Sequence, residues 1–419
     1  MRIKKIYPFI LIIPLLFSCN KIVKEDAPKS SWFDNTLSSK SIVNGAIFHI
    51  EDFRKPGMSD YETFMAAYDS IPNYSNLIFA DKTYTLDHSP VIYKVINFYG
   101  PAVIKREDQV TYTLQESASQ SSSIIVLNST KGISAGDGIF ISFGPADADN
   151  TAVDFVKQVS GDSVFLQNSI GATSRGMASF PLGSVLFKSI ELFWIIGSDS
   201  YPFIGCSFNN LTFDGNRDNN RGSVSWRINS AVLAITKNTT RYDHCNFINS
   251  PGETIIGHNA DIRNCFFSDL NGSAFHASAD KVTWVESDIH SYLYNNIIQN
   301  TNQVPDSIGG HSEGAITHSD SGGYYVATGN TFINIGGPVL GLLYPSVSIH
   351  DWGTSEITFT GNTINGARKI VWAVSMQPGI IHDVRINSNI ISNMAIQGDW
   401  STEMNYFDPG LIIFDKTGQ

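Results

Sequence analysis

The chain has 419 residues, with 28 lysines and arginines against 39 aspartates and glutamates, and a formal net charge of −11. A chain of this length has room for one large domain and one small domain. Because negative charge disfavours contact with phosphate backbones, we expect no nucleic-acid partner, while a local basic patch for an acidic sugar polymer stays open.

Residues 1–18 predict a targeting segment. The basic start Met1-Arg-Ile-Lys-Lys5 is followed by an apolar run over 6–17, which two prolines interrupt and which is too short to span a bilayer. The run ends in Leu16-Phe-Ser-Cys19, which resembles a bacterial lipoprotein signal whose cysteine is acylated. The alternative is an ordinary secretory signal with an incidental cysteine.

Residues 19–40 are polar and rich in Ser, Lys and Asp, as expected of a flexible tether. Within them, Lys24-Glu-Asp26 loosely resembles the surface-export signal of Bacteroides-type lipoproteins. The resemblance implies a lipid-anchored protein of the bacterial outer membrane, exposed at the cell surface. The lipid on Cys19 would then be its only contact with the membrane.

Residues 41–119 are predicted to form an N-terminal cap and the first coils of a solenoid. Phe64, Ala67 and Tyr68 fall on one face of a helical stretch over 61–68. Such a helix can cover the unpaired edge of stacked strands and close the end of the bore.

This cap resembles that of the pectate-lyase-like superfamily. The resemblance is carried by the helical stretch and by runs at 47–53, 77–86, 95–100 and 104–106. Ala80-Asp-Lys82 stands where the family has Pro-Gly, so the match is partial. The resemblance implies an all-β fold, a right-handed single-stranded parallel β-helix whose N-terminal helix closes the bore.

Residues 120–190 break the coil pattern. Short strands at 124–127, 138–142 and 162–166 are separated by turns such as Ala135-Gly-Asp-Gly138. We therefore expect a small β-insertion mounted on the solenoid.

Residues 191–400 predict the main β-helix, and residues 401–419 a C-terminal tail or end cap. Six segments repeat one pattern: Asn or Cys, then Phe or Ile two residues on, and usually Asn or Asp two further on. The segments begin at Cys245, Cys265, Asn296, Asn330, Asn362 and Asn389. Their starts lie 20, 31, 34, 32 and 27 residues apart, a drifting period that is typical of solenoid coils with loops of variable length. Asn-rich turns in a β-sandwich are the alternative.

Stacked coils place equivalent residues above one another at the spacing of adjacent strands, about 4.8 Å. The Phe and Ile column should fill the bore, and the Asn and Cys column should bond backbone groups that the bend leaves unpaired. Cys245 and Cys265 lie in neighbouring coils, where free thiols are expected more often than a disulfide, and Cys206 belongs to an earlier copy. The cysteine spacing shows no zinc signature.

Because the bore is packed, chemistry should lie on the outer face. Two long insertions, 279–291 and 301–313, bracket one strip of sheet. Aligning three coils with Ile255, Phe275 and Ala315 as inward residues turns the alternate residues toward solvent. The predicted catalytic residues are Glu253, His258, His276, Glu313 and His318.

Histidine titrates near neutral pH and can act as the base or the acid of a β-elimination, in which a proton next to a uronate carboxylate is removed. Glu253 and Glu313 would orient a histidine or bind Ca²⁺, and the sequence leaves open whether any cofactor is used. Histidines that face solvent by chance, and glutamates in exposed turns, are the alternative.

Further residues are predicted to bind substrate or metal. Arg263 would hold a uronate, although neighbouring coils also allow the pairs Arg241–Asp261 and Asp243–Arg263. Trp284 would stack on a sugar ring or anchor its loop. The predicted substrate-binding residues are Arg263, Trp284, His290 and His311, and the speculative metal ligands are Glu286 and Asp288.

These features predict a surface-anchored enzyme that degrades a polysaccharide, with a lyase acting on a uronic-acid-containing glycan favoured. A glycoside hydrolase with paired carboxylates and a non-catalytic glycan-binding or adhesive solenoid are the alternatives. The Asn-Thr-Asp and Gly-His-Gly motifs of polygalacturonases are missing, as is the Tyr-Asp-Pro-His run of alginate epimerases. No known mechanism is therefore carried over.

Overall fold

The structure is a computed structural model. It describes residues 45–143, 151–170, 174–175, 179–196, 205–220, 229–236, 238–257, 259–278, 289–301, 314–319, 323–344, 355–375, 381–394 and 410–415. The predicted targeting segment, the tether and the lipidation site Cys19 lie outside the described residues.

The cap and the first coils contain the helix α1 (Asp60–Ser70), a 3-10 turn (Ile50–Phe53) and five strands. The strands are β1 (Ile47–His49), β2 (Ser75–Ile78), β3 (Thr83–Leu86), β4 (Val91–Ile92) and β5 (Ile96–Arg106).

An antiparallel insertion follows. Its strands are β6 (Thr111–Thr113), β7 (Ala118–Ser119), β8 (Ile124–Val126), β9 (Gly138–Ser142), β10 (Thr151–Ser160), β11 (Ser163–Leu166), β12 (Ser174–Arg175), β13 (Ser179–Phe180) and β14 (Val185–Ser189). Seven strands form one sheet in the order β6-β14-β9-β10-β11-β8 with β12 on β10, while β7 pairs with β13. The insertion has its own core around Ile139, Ile141 and Leu186, and it begins before the predicted boundary at residue 120.

The remaining coils alternate short strands and corners. The strands are β15 (Phe193–Ile196), β16 (Ser207–Asp214), β17 (Val232–Ile235), β18 (Thr240–Asp243), β19 (Asn246–Ile248), β20 (Ile255–Gly257), β21 (Ala260–Arg263), β22 (Phe266–Leu270), β23 (Phe275–Ser278), β24 (Ile289–Tyr294), β25 (Ile297–Thr301), β26 (Ile316–Ser319), β27 (Gly323–Thr328), β28 (Thr331–Tyr344), β29 (Ser355–Thr360), β30 (Thr363–Ser375), β31 (Ile381–Asn387), β32 (Ile390–Ser392) and β33 (Gly410–Asp415). A second 3-10 turn spans Arg217–Asn219.

These strands stack into three parallel walls. The first wall runs β4-β15-β17-β20-β23-β26 and continues through the ends of β28 and β30 to β33. The second runs β1-β2-β5-β16-β18-β21-β24-β27-β29-β31. The third runs β3-β5-β16-β19-β22-β25-β28-β30-β32. Since parallel crossovers are right-handed, the predicted right-handed parallel β-helix is confirmed.

Aromatic stacks fill the bore. The rings of Phe213, Phe247 and Phe267 lie parallel in successive coils of the third wall, with centroids 4.7 and 4.8 Å apart. Each fully buried ring contributes about 1.5–3 kcal/mol of transfer free energy, and aromatic pairing adds about 0.5–1.5 kcal/mol. The predicted Phe and Ile column therefore holds the coils in register.

A ladder of buried asparagines lines the corner between the second and third walls. Asn330 Oδ1 accepts a hydrogen bond from the backbone N–H of Asn296, 2.9 Å away, and its Nδ2 donates to the carbonyl of Leu293 at 3.0 Å. The same contacts recur one coil on, where Asn362 takes the place of Asn330. The predicted Asn column thus pairs both the backbone and its own neighbours. Cys245 and Cys265 are buried free thiols in this column.

The next corner uses left-handed backbone. Five of the six repeats end in an Asn or Asp with a φ between 50° and 60°, a conformation that Asn and Asp tolerate better than most residues, and the sixth ends in Gly366 with a φ of 79°. The five Asn and Asp residues are Asn249, Asp269, Asn300, Asn334 and Asn393. The repeat therefore encodes two bends for each coil.

Helix α1 closes the N-terminal end. Ser59 caps it: its hydroxyl accepts a hydrogen bond from the backbone N–H of Glu62, and the Glu62 carboxylate accepts one from the backbone N–H of Ser59. Phe64 packs edge-on against Phe193 with centroids 5.5 Å apart, so the helix covers the open bore as predicted. No helix among the described residues is long and apolar enough to cross a membrane.

Arg106, at the end of β5, joins the insertion to the β-helix. Its side chain is fully buried and donates to the carbonyls of Ile190, Gly215 and Asn229 at 2.6 Å each, and to that of Ser230 at 2.9 Å. Burial lowers the pKa of this guanidinium to about 10. These bonds tie the chain on both sides of the insertion to the following coil.

The asparagine ladder makes a direct prediction about stability. Asn330→Ala leaves the buried Asn296 N–H and Leu293 carbonyl unpaired, so we expect it to lower the free energy of unfolding by about 2–4 kcal/mol. The matched control is Asn246→Ala, because among the described residues the exposed Asn246 side chain bonds only the Thr212 hydroxyl; it should cost less than about 0.5 kcal/mol. Denaturant titration of both variants is the measurement, and equal losses would contradict the ladder.

Candidate functional site

The site lies on the outer side of the first wall, in strands β20, β23 and β26. Ile255, Phe275 and Ile316 are register partners and belong to the core. Because side chains alternate along a strand, the next residues, Ile256, His276 and Thr317, form a row on the opposite face. We call this row the outer row.

A glutamate and a histidine from successive coils meet at the outer row. Glu253 lies two residues before β20, and its Oε1 is 2.5 Å from Nδ1 of His276 in β23. Glu253 is 1% exposed and His276 is 7% exposed. Oε2 of Glu253 has no hydrogen-bond partner among the described residues. The structure therefore unites two of the five predicted catalytic residues in one buried pair.

The next coil repeats this geometry with smaller groups. Ser273 occupies the position of Glu253, and its hydroxyl lies 3.2 Å from that of Thr317, which occupies the position of His276. In these two coils, the residue two positions before a strand of the first wall thus reaches the outer row of the following coil. Coil stacking alone is enough to create the pair.

The prediction that the outer row faces solvent is wrong for the described residues. Ile256 and Thr317 are buried on either side of His276. Lower in the same row, Phe155 of the insertion covers Trp194, with ring centroids 5.0 Å apart. The row also carries apolar Leu233 and Ile256, which favour a covered face.

The pair has the geometry of an oriented base. An ionised Glu253 can only accept, so Nδ1 of His276 must carry the proton of their hydrogen bond. Nε2 is then the ring nitrogen that can take up a proton. A carboxylate that fixes the tautomer and orientation of an imidazole in this way is a recurring arrangement in nucleophilic and general-base catalysis.

The predicted alignment of His318 needs correction. Ile316, not Ala315, pairs with Phe275, so His318 pairs with Ala277 and lies one row away from His276. Ala315 and Ile316 are both fully buried, so the apolar pattern admitted either register, and the larger residue takes the core position. Glu313 lies outside the described residues, so its role stays a prediction.

Several predicted residues cannot be placed. His258, Trp284, Glu286, Asp288 and His311 lie outside the described residues, so their roles stay predictions. Within the described ranges, no group of three or more His, Cys, Asp or Glu side chains is arranged to hold a metal ion. Calcium binding also stays a prediction.

Two of the residues predicted to bind substrate, Arg263 and His290, lie in the second wall. Arg241 pairs in register with Asp261, and Asp243 with Arg263, as predicted. The ion pair of Arg263, however, is with Asp261 of its own strand, with Arg263 Nε 2.6 Å from Asp261 Oδ1. The predicted pairing between coils is therefore wrong for Arg263. Hydrogen bonding to Asp261 raises the pKa of this guanidinium.

Tyrosines that the sequence analysis overlooked surround these residues. Arg263 lies over the ring of Tyr294, 5.2 Å from its centroid. The rings of Tyr292 and Tyr294 are nearly parallel, with 11° between their planes. His290 stacks on Tyr324 of the next coil at 5.0 Å. The alternation His290-Ser-Tyr-Leu-Tyr294, with buried Ser291 and Leu293, was the available signal.

A histidine between two aspartates lies where the insertion meets the cap. His88 Nδ1 is 3.2 Å from Asp87 Oδ1, and its Nε2 is 3.6 Å from Asp137 Oδ1 in the insertion. His88 lowers the pKa of Asp87, whereas burial raises the pKa of Asp137. Lys188 bonds the Asp87 carbonyl, so the cluster fastens the insertion to the cap, and its role is structural.

No protein-family model matches the chain, and no curated protein sequence matches it. A family 28 exopolygalacturonase of Yersinia enterocolitica is similar in structure, with 11% identity over 90% of this chain and 79% of that one, at a TM-score of 0.28. The Gp54 tailspike of Acinetobacter baumannii bacteriophage AP22, solved in complex with A. baumannii capsular saccharide, gives 10% identity, 83% and 69% coverage, and a TM-score of 0.22. The Pseudomonas phage phi297 tailspike gp61 has 12% identity over 84% of this chain and 76% of that one, at a TM-score of 0.20. At these scores the likeness carries no argument, and the fold rests on the strand pairing above.

The buried pair predicts a coupled effect on stability. His276→Leu leaves the Glu253 carboxylate buried without a partner, so we expect a loss of about 3–5 kcal/mol in the free energy of unfolding. Glu253→Leu/His276→Leu removes both polar groups and should cost clearly less than His276→Leu alone. Denaturant titrations of the single and double variants measure the coupling. Additive losses would show that the two side chains do not interact.

Proposed function

We propose that this protein is a polysaccharide lyase that cleaves a uronic-acid-containing glycan by β-elimination at the outer row of the first wall. The single observation that carries the proposal is the buried hydrogen bond between Glu253 and His276, which orients an imidazole on the outer side of the β-helix. Histidine is the side chain best suited to proton transfer near neutral pH.

In this mechanism His276 is the base and Glu253 is a positioning residue. Nε2 of His276 takes the proton from the carbon next to the uronate carboxylate. The electron pair of that C–H bond forms the new C=C bond, and the bond to the glycosidic oxygen breaks. The leaving oxygen takes a proton from a second group, for which His258 stays the predicted candidate. Glu253 stabilises the imidazolium that forms at His276.

The contacts of Glu253 favour elimination over hydrolysis. An inverting hydrolase needs two carboxyl groups about 6.5–9.5 Å apart, and a retaining one about 5–5.5 Å apart. Glu253 instead bonds an imidazole, which suits a histidine base better than a carboxylate pair.

A non-catalytic glycan-binding role is the second candidate, and one observation favours it. His276 is only 7% exposed, so a substrate can reach its Nε2 only where the outer row opens to solvent. A binding protein would need no such opening. Turnover separates the two functions, because a binding protein releases no product.

The location that we propose is the bacterial outer membrane, with the chain anchored by a lipid on Cys19 and exposed at the cell surface. The proposal is supported by the Leu-Phe-Ser-Cys motif and the polar tether behind it. Membrane fractionation of a Cys19→Ser variant tests the anchor independently of activity, and unchanged fractionation would contradict it.

The catalytic proposal is tested with a panel of uronic-acid and neutral polysaccharides, with Ca²⁺ and with chelator. We expect unsaturated uronate products, detected by their ultraviolet absorbance. Glu253→Gln should lower kcat by about 10²- to 10⁴-fold with little change in KM, because it removes the group that orients the base. It should also move the acidic limb of the pH–rate profile toward lower pH, because the imidazolium loses its neighbouring carboxylate.

Glu116→Gln is the matched control, since Glu116 is exposed in the insertion, and it should leave kcat unchanged. New reducing ends without unsaturated products would identify a hydrolase. Full activity of a folded Glu253→Gln variant would rule out the proposed site.

A further inference from the structure

On the outer face of the second wall, large side chains in one coil are followed by small side chains in the next two coils. On strand β24, Tyr292 and Tyr294 stand on the outer face. Their register partners in the next two coils are small: Val326 and Thr328 on β27, then Thr358 and Thr360 on β29. All four are partly exposed, and they form a shallow floor beside the tall rings. We call this floor the shelf.

One aromatic face is turned toward the shelf. Arg263 lies over Tyr294 from the preceding coil, so the opposite face of that ring is directed to the following coil, where Thr328 leaves space. The ring of Tyr292 lies nearly parallel to that of Tyr294, with 11° between the two planes. The floor is two coils deep, which corresponds to about 9–10 Å at the spacing of parallel strands.

Polar groups border the far side. Arg385 and Asn387 of β31 are exposed and pair in register with Thr358 and Thr360. At one end of the shelf, Glu356 pairs with Tyr324, which is 43% exposed and stacks on His290. The shelf thus combines a flat apolar wall with donors and acceptors on the opposite border.

The charges around the shelf cancel. Arg263 is ion-paired with Asp261, and the borders of the shelf carry one further cation, Arg385, and one further anion, Glu356. A patch whose charges sum to zero offers a polyanion no net attraction. The occupant that fits is uncharged, has flat C–H faces and presents many hydroxyl groups.

We propose that the shelf binds neutral sugar units of a glycan chain, with a ring packed on Tyr294 and hydroxyls bonded to Arg385 and Asn387. The proposal rests on the proposed function in one respect, since it takes a polysaccharide as the substrate, and it adds a second subsite that selects uncharged residues of that polymer. The shelf lies within two coils of His276, on the next wall of the β-helix.

Binding is measured by affinity electrophoresis of the purified chain in gels containing a neutral polymer, xylan or galactomannan, or a uronate polymer, polygalacturonate or alginate. The measurements use the Glu253→Gln background, so that turnover does not consume the polymer. We expect retardation by at least one neutral polymer. Tyr294→Ala should weaken it about five- to tenfold, the effect expected for one lost aromatic contact.

A second variant acts without removing any contact from the fold. Thr328→Trp fills the shelf with a residue that strands accept, and it should weaken binding at least as much as Tyr294→Ala. The matched control is Tyr74→Asn, which removes an exposed tyrosine of the cap at a position with a φ of 64°, where asparagine is tolerated. It should bind as the parent chain does.

The proposal is overturned if neutral polymers cause no retardation, if both shelf variants bind unchanged, or if only uronate polymers bind. Light scattering measures the mass of the particle in solution. A change in that mass caused by Thr328→Trp would overturn the proposal, because the shelf would then be a contact between copies of the chain. The proposed lyase can fail separately: a chain that binds neutral glycans through the shelf but releases no unsaturated product retains the shelf and loses the lyase.

Discussion

Vertical registration of the coils is the constraint on which the rest of the structure depends. Parallel pairing fixes each strand one coil above its equivalent, so like residues form continuous columns. The asparagine ladder and the Phe213–Phe247–Phe267 stack both span successive coils and both fail if one coil slips. A slip by one residue would also exchange the inner and outer faces of a strand. Registration therefore determines which side chains can meet outside the bore.

The Glu253–His276 pair and the shelf are both consequences of that constraint. Glu253 reaches His276 because the residue before one strand lies beneath the outer row of the next coil. The shelf exists because Tyr294 of one coil is followed by Thr328 and Thr360 in the coils above. In both cases the residues are far apart in sequence and adjacent only through stacking. A solenoid of this kind can carry chemistry on one wall and recognition on the next.

Much of the fold could be predicted from the sequence because its period is encoded in residues with strong local preferences. The Asn and Asp residues at the left-handed corners, the buried Asn column and the Phe and Ile column each repeat. The slip at Ala315 and Ile316 occurred where two adjacent apolar residues satisfied the pattern equally. The burial of His276 was missed because alternation distinguishes the two faces of a strand but does not report what covers the outer one.

The candidate site was only partly predictable for the same physical reason. Sequence identified Glu253 and His276 but assigned both to solvent, and it paired Arg263 with a neighbouring coil although Asp261 lies closer along its own strand. The most direct test of the account is ¹⁵N NMR of labelled histidines, with His276 assigned through a His276→Gln variant. The account predicts a proton on Nδ1 that is protected from exchange with water and that loses its hydrogen-bonded, downfield position in Glu253→Gln. A His276 ring whose Nδ1 carries no proton, or whose resonances do not respond to Glu253→Gln, would contradict it.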